Sequence, residues 1–251
     1  MLAAPCEARP HPQKAQKTAL ESVPSGTDPR IERYQGIARD EKNRVVYREE
    51  HEVEYRNDRV RQARSRYFSP EGKLLAELDS EFPGGVSLPK YRFRNLAANY
   101  EEGVECCAGG RLEVFHRGSR RTLEFQPNWV SGQGFHYLTR EHLTSIRAGE
   151  KQEFVFLIPS KLAVYDFRIR SGGSDPANPR QERVLLEIDQ WFFRLFAPKI
   201  VATYDLETRR LMRYEGPSNI EDAQGNIPTV RIDYDYSASA ASPRIPPSGK
   251  E

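Results

Sequence analysis

Five histidines, three cysteines and several closely spaced carboxylates are the side chains here that metal, nucleophilic or acid–base chemistry would use. A helical zinc site needs ligands stacked one turn apart. His136 and His142 are six residues apart, so "HYLTREH" fits neither H-E-x-x-H nor H-x-x-E-H. His11 falls in a Pro- and Ala-rich stretch, His51 lies on the apolar face of its strand, and His116 ends a strand beside a hairpin tip. No metal or cofactor is expected. There is no G-x-S-x-G elbow, Walker loop or Rossmann glycine pattern. Among the paired carboxylates Glu49-Glu50, Glu101-Glu102 and Asp233 with Asp235, only the last pair shares a strand face and is placed for joint acid–base work. The plainer reading is a solvated face opposite Tyr234 and Tyr236. Neighbouring Cys106 and Cys107 point to opposite faces of a strand and read as plain thiols. The expectation is a protein that is not an enzyme.

Composition narrows the partners. Thirty-eight basic residues stand against 36 acidic ones, a near-balance that argues against a nucleic-acid binder. The stripe "RNDRVRQARSR" has the charge to meet phosphate, yet its neighbouring strand is acidic and internal pairing explains it. No stretch approaches the roughly 18 apolar residues of a membrane-spanning helix. The start, "MLAAPCEARPHPQ", has small residues before Cys6 but neither a charged nor an apolar signal region, and Pro5 spoils a lipoprotein reading. Two locations follow as expectations: periplasm or cell envelope if an export signal was lost upstream, otherwise cytoplasm.

The elements that position these residues are strands. Residues 1–30 and 238–251 are poor in large apolar side chains and are expected to be disordered tails, with one domain over 31–237. In "RVVYREEHEVEYR", Val45, Tyr47, Val53 and Tyr55 share one face, and Arg48, Glu50, Glu52 and Glu54 the other. A two-residue turn at Asn57-Asp58 pairs Arg56 with Arg59 and places Glu54 opposite Arg61 and Glu49 opposite Arg66. A second hairpin around Gly118-Ser119 sets Val114 against Leu123, Leu112 against Phe125 and, awkwardly, Glu113 against Glu124. "EFVFLIP" is apolar on both faces, as a buried strand would be. "KLAVYDFRIR" alternates, with Ala163, Tyr165, Phe167 and Ile169 in line. Val230, Ile232, Tyr234 and Tyr236 form the cleanest alternating set. Phe135, Leu138, His142 and Ile146 follow helical spacing, and Gly149 suits a C-terminal cap. "DQWFFRLFAP" reads as a short helix or turn on the sheet. The fold expected is mainly β: an antiparallel meander of roughly ten strands forming a curved half-barrel or barrel with one or two short helices.

Such an interior is also a container. Its candidate lining is Tyr47, Phe135, Leu138, Ile146, Tyr165, Phe167, Trp191, Phe192 and Tyr234, with Phe135–Ile146 and Trp191–Phe196 as plug or lid. The occupant would be a hydrophobic small molecule or lipid, although filling by core side chains is the commoner outcome. The loop Gly216-Pro217-Ser218-Asn219 reads first as a turn, long enough to leave room for a rim around a barrel mouth.

The runs "YQGIARDEKNRVVYREEHE", "LPKYRFRN" with "YEEGVE", "GQGFHYL" with "LTSIRAGE", and "RRLMRYEGPSNIEDAQGN" resemble an uncharacterised family of bacterial envelope proteins, over about residues 34–236. The resemblance implies a curved antiparallel half-barrel wrapped around a helix, similar in outline to periplasmic lipoprotein carriers. It brings no catalytic residues. The function it implies is noncatalytic binding of an apolar ligand, lipid or lipidated partner in the envelope. A structural or protein-interaction module with a filled core is the alternative, and a carboxylate-dependent enzyme the third reading.

Overall fold

Asn57 and Asp58 both adopt left-handed backbone, with φ of 51° and 56°, and this sharp turn sets the pairing of the strands on either side. Those strands are β2 (Val45–Arg56) and β3 (Arg59–Phe68). The computed structural model describes residues 29–106, 110–188, 200–222 and 224–237. Before the hairpin lies β1 (Arg30–Arg39); after it come β4 (Leu74–Glu81), β5 (Lys90–Asn95), β6 (Tyr100–Cys106), β7 (Arg111–His116) and β8 (Ser119–Glu124). A short strand β9 (Trp129–Ser131) then leads into α1 (Gly134–Arg147). The remainder is β10 (Gln152–Ile158), a 3-10 turn at Pro159–Lys161, β11 (Ala163–Asp175), β12 (Asn178–Ile188), β13 (Ile200–Asp205), β14 (Leu211–Pro217) and β15 (Thr229–Asp235).

All of these strands join one sheet in the order β8-β7-β6-β5-β4-β3-β2-β1-β15-β14-β13-β12-β11-β10-β9. Among the described residues the count is fifteen strands rather than about ten, and the sheet is open, since β8 and β9 are its two edges. β1 was hidden because its inward positions are Glu32, Tyr34, Gly36 and Ala38, which show no apolar alternation. Pairing is antiparallel except between β9 and β10, which run parallel.

Two expected registers shift. A bulge between Glu54 and Tyr55 places Glu54 opposite Gln62, Glu50 opposite Arg66, and Glu49 opposite Tyr67. The extra residue lets Val60, Ala63, Ser65 and Tyr67 all point inward from β3. In the second hairpin the turn is Arg117-Gly118, so His116 pairs with Ser119, Val114 with Arg121 and Leu112 with Leu123. The like-charge clash disappears, because Glu113 now pairs with Thr122.

The sheet rolls around α1. One apolar cluster joins Tyr47, Tyr67, Tyr91, Phe93, Val104 and Leu112 to Leu157. A second joins Leu143 and Ile146 of α1 to Phe154, Phe167, Ile169 and Tyr204. β10 therefore serves both clusters, Val155 and Leu157 facing the first and Phe154 and Phe156 the second, as its two apolar faces predict. From edge strand β8, the Arg121 side chain reaches the β10–β11 connection, where its Nη1 donates to the Leu162 carbonyl at 3.1 Å.

Gly134 starts α1 against the β4–β5 loop; a Cβ there would stand 1.8 Å from the Ser87 carbonyl oxygen, so only glycine fits. The helix ends as expected at Gly149, whose φ is 97° and whose N–H bonds the Ile146 carbonyl at 3.0 Å. Trp191 and Phe192, the remainder of "DQWFFRLFAP", Cys107, His11 and the expected tails lie outside the described residues, except Pro29 and Arg30, and Arg30 already begins β1.

Candidate functional site

The strongest concentration of polar chemistry lies on the inner wall, where the alternation of β2 turns Tyr47, Glu49, His51 and Val53 toward α1. Glu49 Oε2 lies 2.8 Å from His51 Nε2, and His51 Nδ1 lies 2.7 Å from the Oγ of its cross-strand partner Ser65. From the N-terminal end of α1, Gln133 Nε2 donates to Ser65 Oγ at 3.1 Å. All three sheet residues are buried, at 2%, 9% and 0% exposure in that order. Nε2–H donates to the carboxylate, and Nδ1 shares a hydrogen with the serine hydroxyl oxygen. Gln133 Oε1 is buried and has no hydrogen-bond partner among the described residues.

Aromatic rings enclose this chain of bonds. The Tyr34 ring stacks on His51 with centroids 4.4 Å apart, and Tyr234 meets the imidazole edge-on at 5.7 Å. Gly36 makes the close approach possible, since a Cβ there would stand 2.9 Å from the Tyr234 ring and 3.0 Å from Glu49 Oε2. Burial first, and the Glu49 carboxylate second, push the phenols of Tyr47, Tyr67, Tyr214 and Tyr234 up, so all four stay neutral.

A second polar locus flanks α1. Arg140 Nη1 donates to Tyr55 Oη at 2.7 Å, and buried Glu32 is bridged by Arg210 Nη2 at 2.8 Å. His136 Nδ1 lies 3.2 Å from Tyr204 Oη. Burial, followed by the charges of Arg140 and His51, holds the His136 imidazole well below its ordinary range.

Carboxylate, imidazole and hydroxyl in this order are the parts of a nucleophilic triad. Here Ser65 is fully buried and its oxygen is held by both His51 and Gln133. What the arrangement does is tie α1 to the wall. Asp233 sits on the outer face, bonded to Arg213 at 2.7 Å, and exposed Asp235 caps Ser237. Among the described residues no cluster of three or more His, Cys, Asp or Glu has metal-site geometry.

The candidate lining residues do not form one surface. Tyr47 and Tyr234 border the His51 network, whereas Phe135, Leu138, Ile146 and Phe167 belong to the second cluster. Tyr165, expected in line with Phe167, is 39% exposed. Glu49, Ser65 and Gln133 were missed as a group. The available signal was the phase of Glu49, in step with Tyr47 and His51.

The loop after β14 turns inward. Ser218 Oγ donates to Tyr47 Oη at 3.4 Å, Asn219 Nδ2 donates to Tyr67 Oη at 3.3 Å, and Ile220 is buried in the first cluster. Read first as a turn, the loop packs its side chains onto the inner wall. On the outer face, a charged depression of about 470 Å³ is lined by Glu52, Arg64, Asp79, Arg92, Arg94 and Glu105.

No family model matches the chain, and no curated protein matches it. Among solved structures, the crystal structure of a beta-barrel-like protein of a domain of unknown function, DUF1849, from Brucella abortus is similar, with a TM-score of 0.40 and 9% identity. The alignment covers 83% of this chain and 98% of that one.

Proposed function

We propose that this chain is a noncatalytic structural or interaction module, with a filled interior that serves as scaffold and a surface that does the work. The observation that carries the reading is the burial of residues a container would offer to its ligand: Tyr47, Ile146 and Phe167 are 2%, 0% and 8% exposed, against other side chains of the same domain. The inward loop at Ser218–Ile220 supports it further. Native mass spectrometry of the purified chain tests it. The expected spectrum is the bare polypeptide mass, with or without partner protein; a stoichiometric lipid or other small molecule would overturn it.

Binding of an apolar ligand, lipid or lipidated partner is the second reading. It is favoured by Phe135, Leu138, Phe156 and Ile158, which are only partly buried along the second cluster. The same spectrum decides between the two. For either role we propose a setting in the cell envelope, on the resemblance described above. Fractionation of the native cell checks it: recovery with periplasmic or membrane material is expected, and recovery with cytosol contradicts it.

A further inference from the structure

We infer that two copies of this chain associate through β8, pairing antiparallel about Thr122 to continue the sheet from one protomer into the next. This inference rests on the surface-acting reading above and names the surface. β8 is an edge, and all of its residues except Leu123 are exposed. No described strand pairs along its outer side.

The turn dictates which backbone groups are free. Arg117 and Gly118 have φ of 48° and 82°, so His116 and Ser119 flank a two-residue turn and bond to each other. Hydrogen bonding alternates along a strand, so Ser119, Arg121 and Leu123 spend their N–H and C=O groups on β7. Phe125 continues that series, with its N–H on the Gly110 carbonyl at 3.2 Å. Arg120, Thr122 and Glu124 present theirs outward. Only like-oriented residues pair, which limits the registers to those that match this set with itself.

One register uses all three. With Thr122 opposite Thr122 of the second copy, Arg120 faces Glu124 and Glu124 faces Arg120, and up to about six backbone hydrogen bonds close. Both charge pairs lie on the outer face, and opposite charges across strands attract. Shifting by one step toward the turn sets Arg121 against Arg121 and leaves Glu124 outside the paired strand. Shifting the other way leaves Arg120 unpaired. Exposed Phe125, at 41%, comes to lie beside Ser119 of the second copy. Edge arginines commonly guard against pairing. Here Arg120 already shares its charge with Glu113 and Glu105, which mutes its guard, and symmetry adds Glu124 of the second copy. A six-residue strand edge falls at or below the roughly 1,200 Å² of a stable interface, so the dimer is weak and depends on concentration.

Sedimentation velocity on the full chain over a concentration series tests this. The wild type is expected to shift from monomer to dimer as concentration rises. Arg120→Glu and Glu124→Arg should each weaken association at least about tenfold, and the two together should restore it. Thr122→Pro, which removes only an outward N–H, should abolish it. Unchanged thermal unfolding midpoints confirm that each variant folds. A monomer at every concentration, or a dimer indifferent to these substitutions, overturns the inference. So does a double variant that fails to recover. A monomer would leave the filled-interior reading standing, because bound mass and not association decides that one.

Discussion

Glu49 and His51 meet at 2.8 Å on the inner face of β2 with side-chain exposures of 2% and 7%; Arg64 and Asp79 meet at 2.7 Å on the outer face of β3 and β4 with exposures of 55% and 42%. The distances are nearly equal and the surroundings opposite. Outside, water already solvates both groups, and holding two long side chains still offsets most of the attraction. Inside, water is excluded, so losing one partner strands the other without solvent or bond. The outer ladder also holds Arg33–Glu52 and Arg94–Glu77 at 2.7 Å each, opposed across neighbouring strands. The inner chain bonds the helix to the wall through Gln133.

The largest effect should come from breaking the inner side. Glu49→Ala leaves His51 buried without its acceptor and is expected to lower unfolding free energy by about 3–5 kcal/mol in urea titrations. Ile146→Ala, which opens a cavity beneath α1 without touching a charge, should cost about 2–5 kcal/mol and separates packing from polar anchoring.

Acid probes the same interior. The folded state resists protonating His136, whereas the unfolded chain accepts the proton near the usual imidazole value of about 6.5. The contribution is therefore whole above that pH and is lost as pH falls toward the folded value, with a slope of about 1.4 kcal/mol per pH unit. Unfolding curves between neutral and mildly acidic pH should show this slope, and His136→Gln should flatten it relative to wild type. The smallest effect is expected outside: Arg64→Ala should change stability by about 0.2–1 kcal/mol, less in high salt.

Inner and outer faces were not equally legible in the sequence. The alternation of β2, the Asn57-Asp58 turn and the Gly149 helix end could be read directly, because each is a local preference of a few adjacent residues. Internal pairing of the β3 arginines could be read, but not its partners: Arg64 and Arg66 meet Asp79 and Glu77 of β4 rather than the acids of β2, and Glu52 of β2 meets Arg33 of β1. The inner chain could not be read. The bulge at Glu54/Tyr55 slips the pairing by one, turning Glu49 from a supposed partner of Arg66 into a buried neighbour of Tyr67. Ser65 and Gln133 are 68 residues apart, and no local pattern announces that they meet. β1 escaped notice because Glu32, Gly36 and Ala38 take three of its four inward positions, and the Tyr234 ring of β15 supplies the bulk over Gly36.

Double-mutant cycles on Glu49–His51 and on Arg64–Asp79, each followed by denaturant unfolding, test the central contrast most directly. Coupling above about 1.5 kcal/mol inside, against about 0.5 kcal/mol or less outside, is the expected result. Equal couplings, or a larger one on the outer face, would contradict a fold anchored by its buried polar chain.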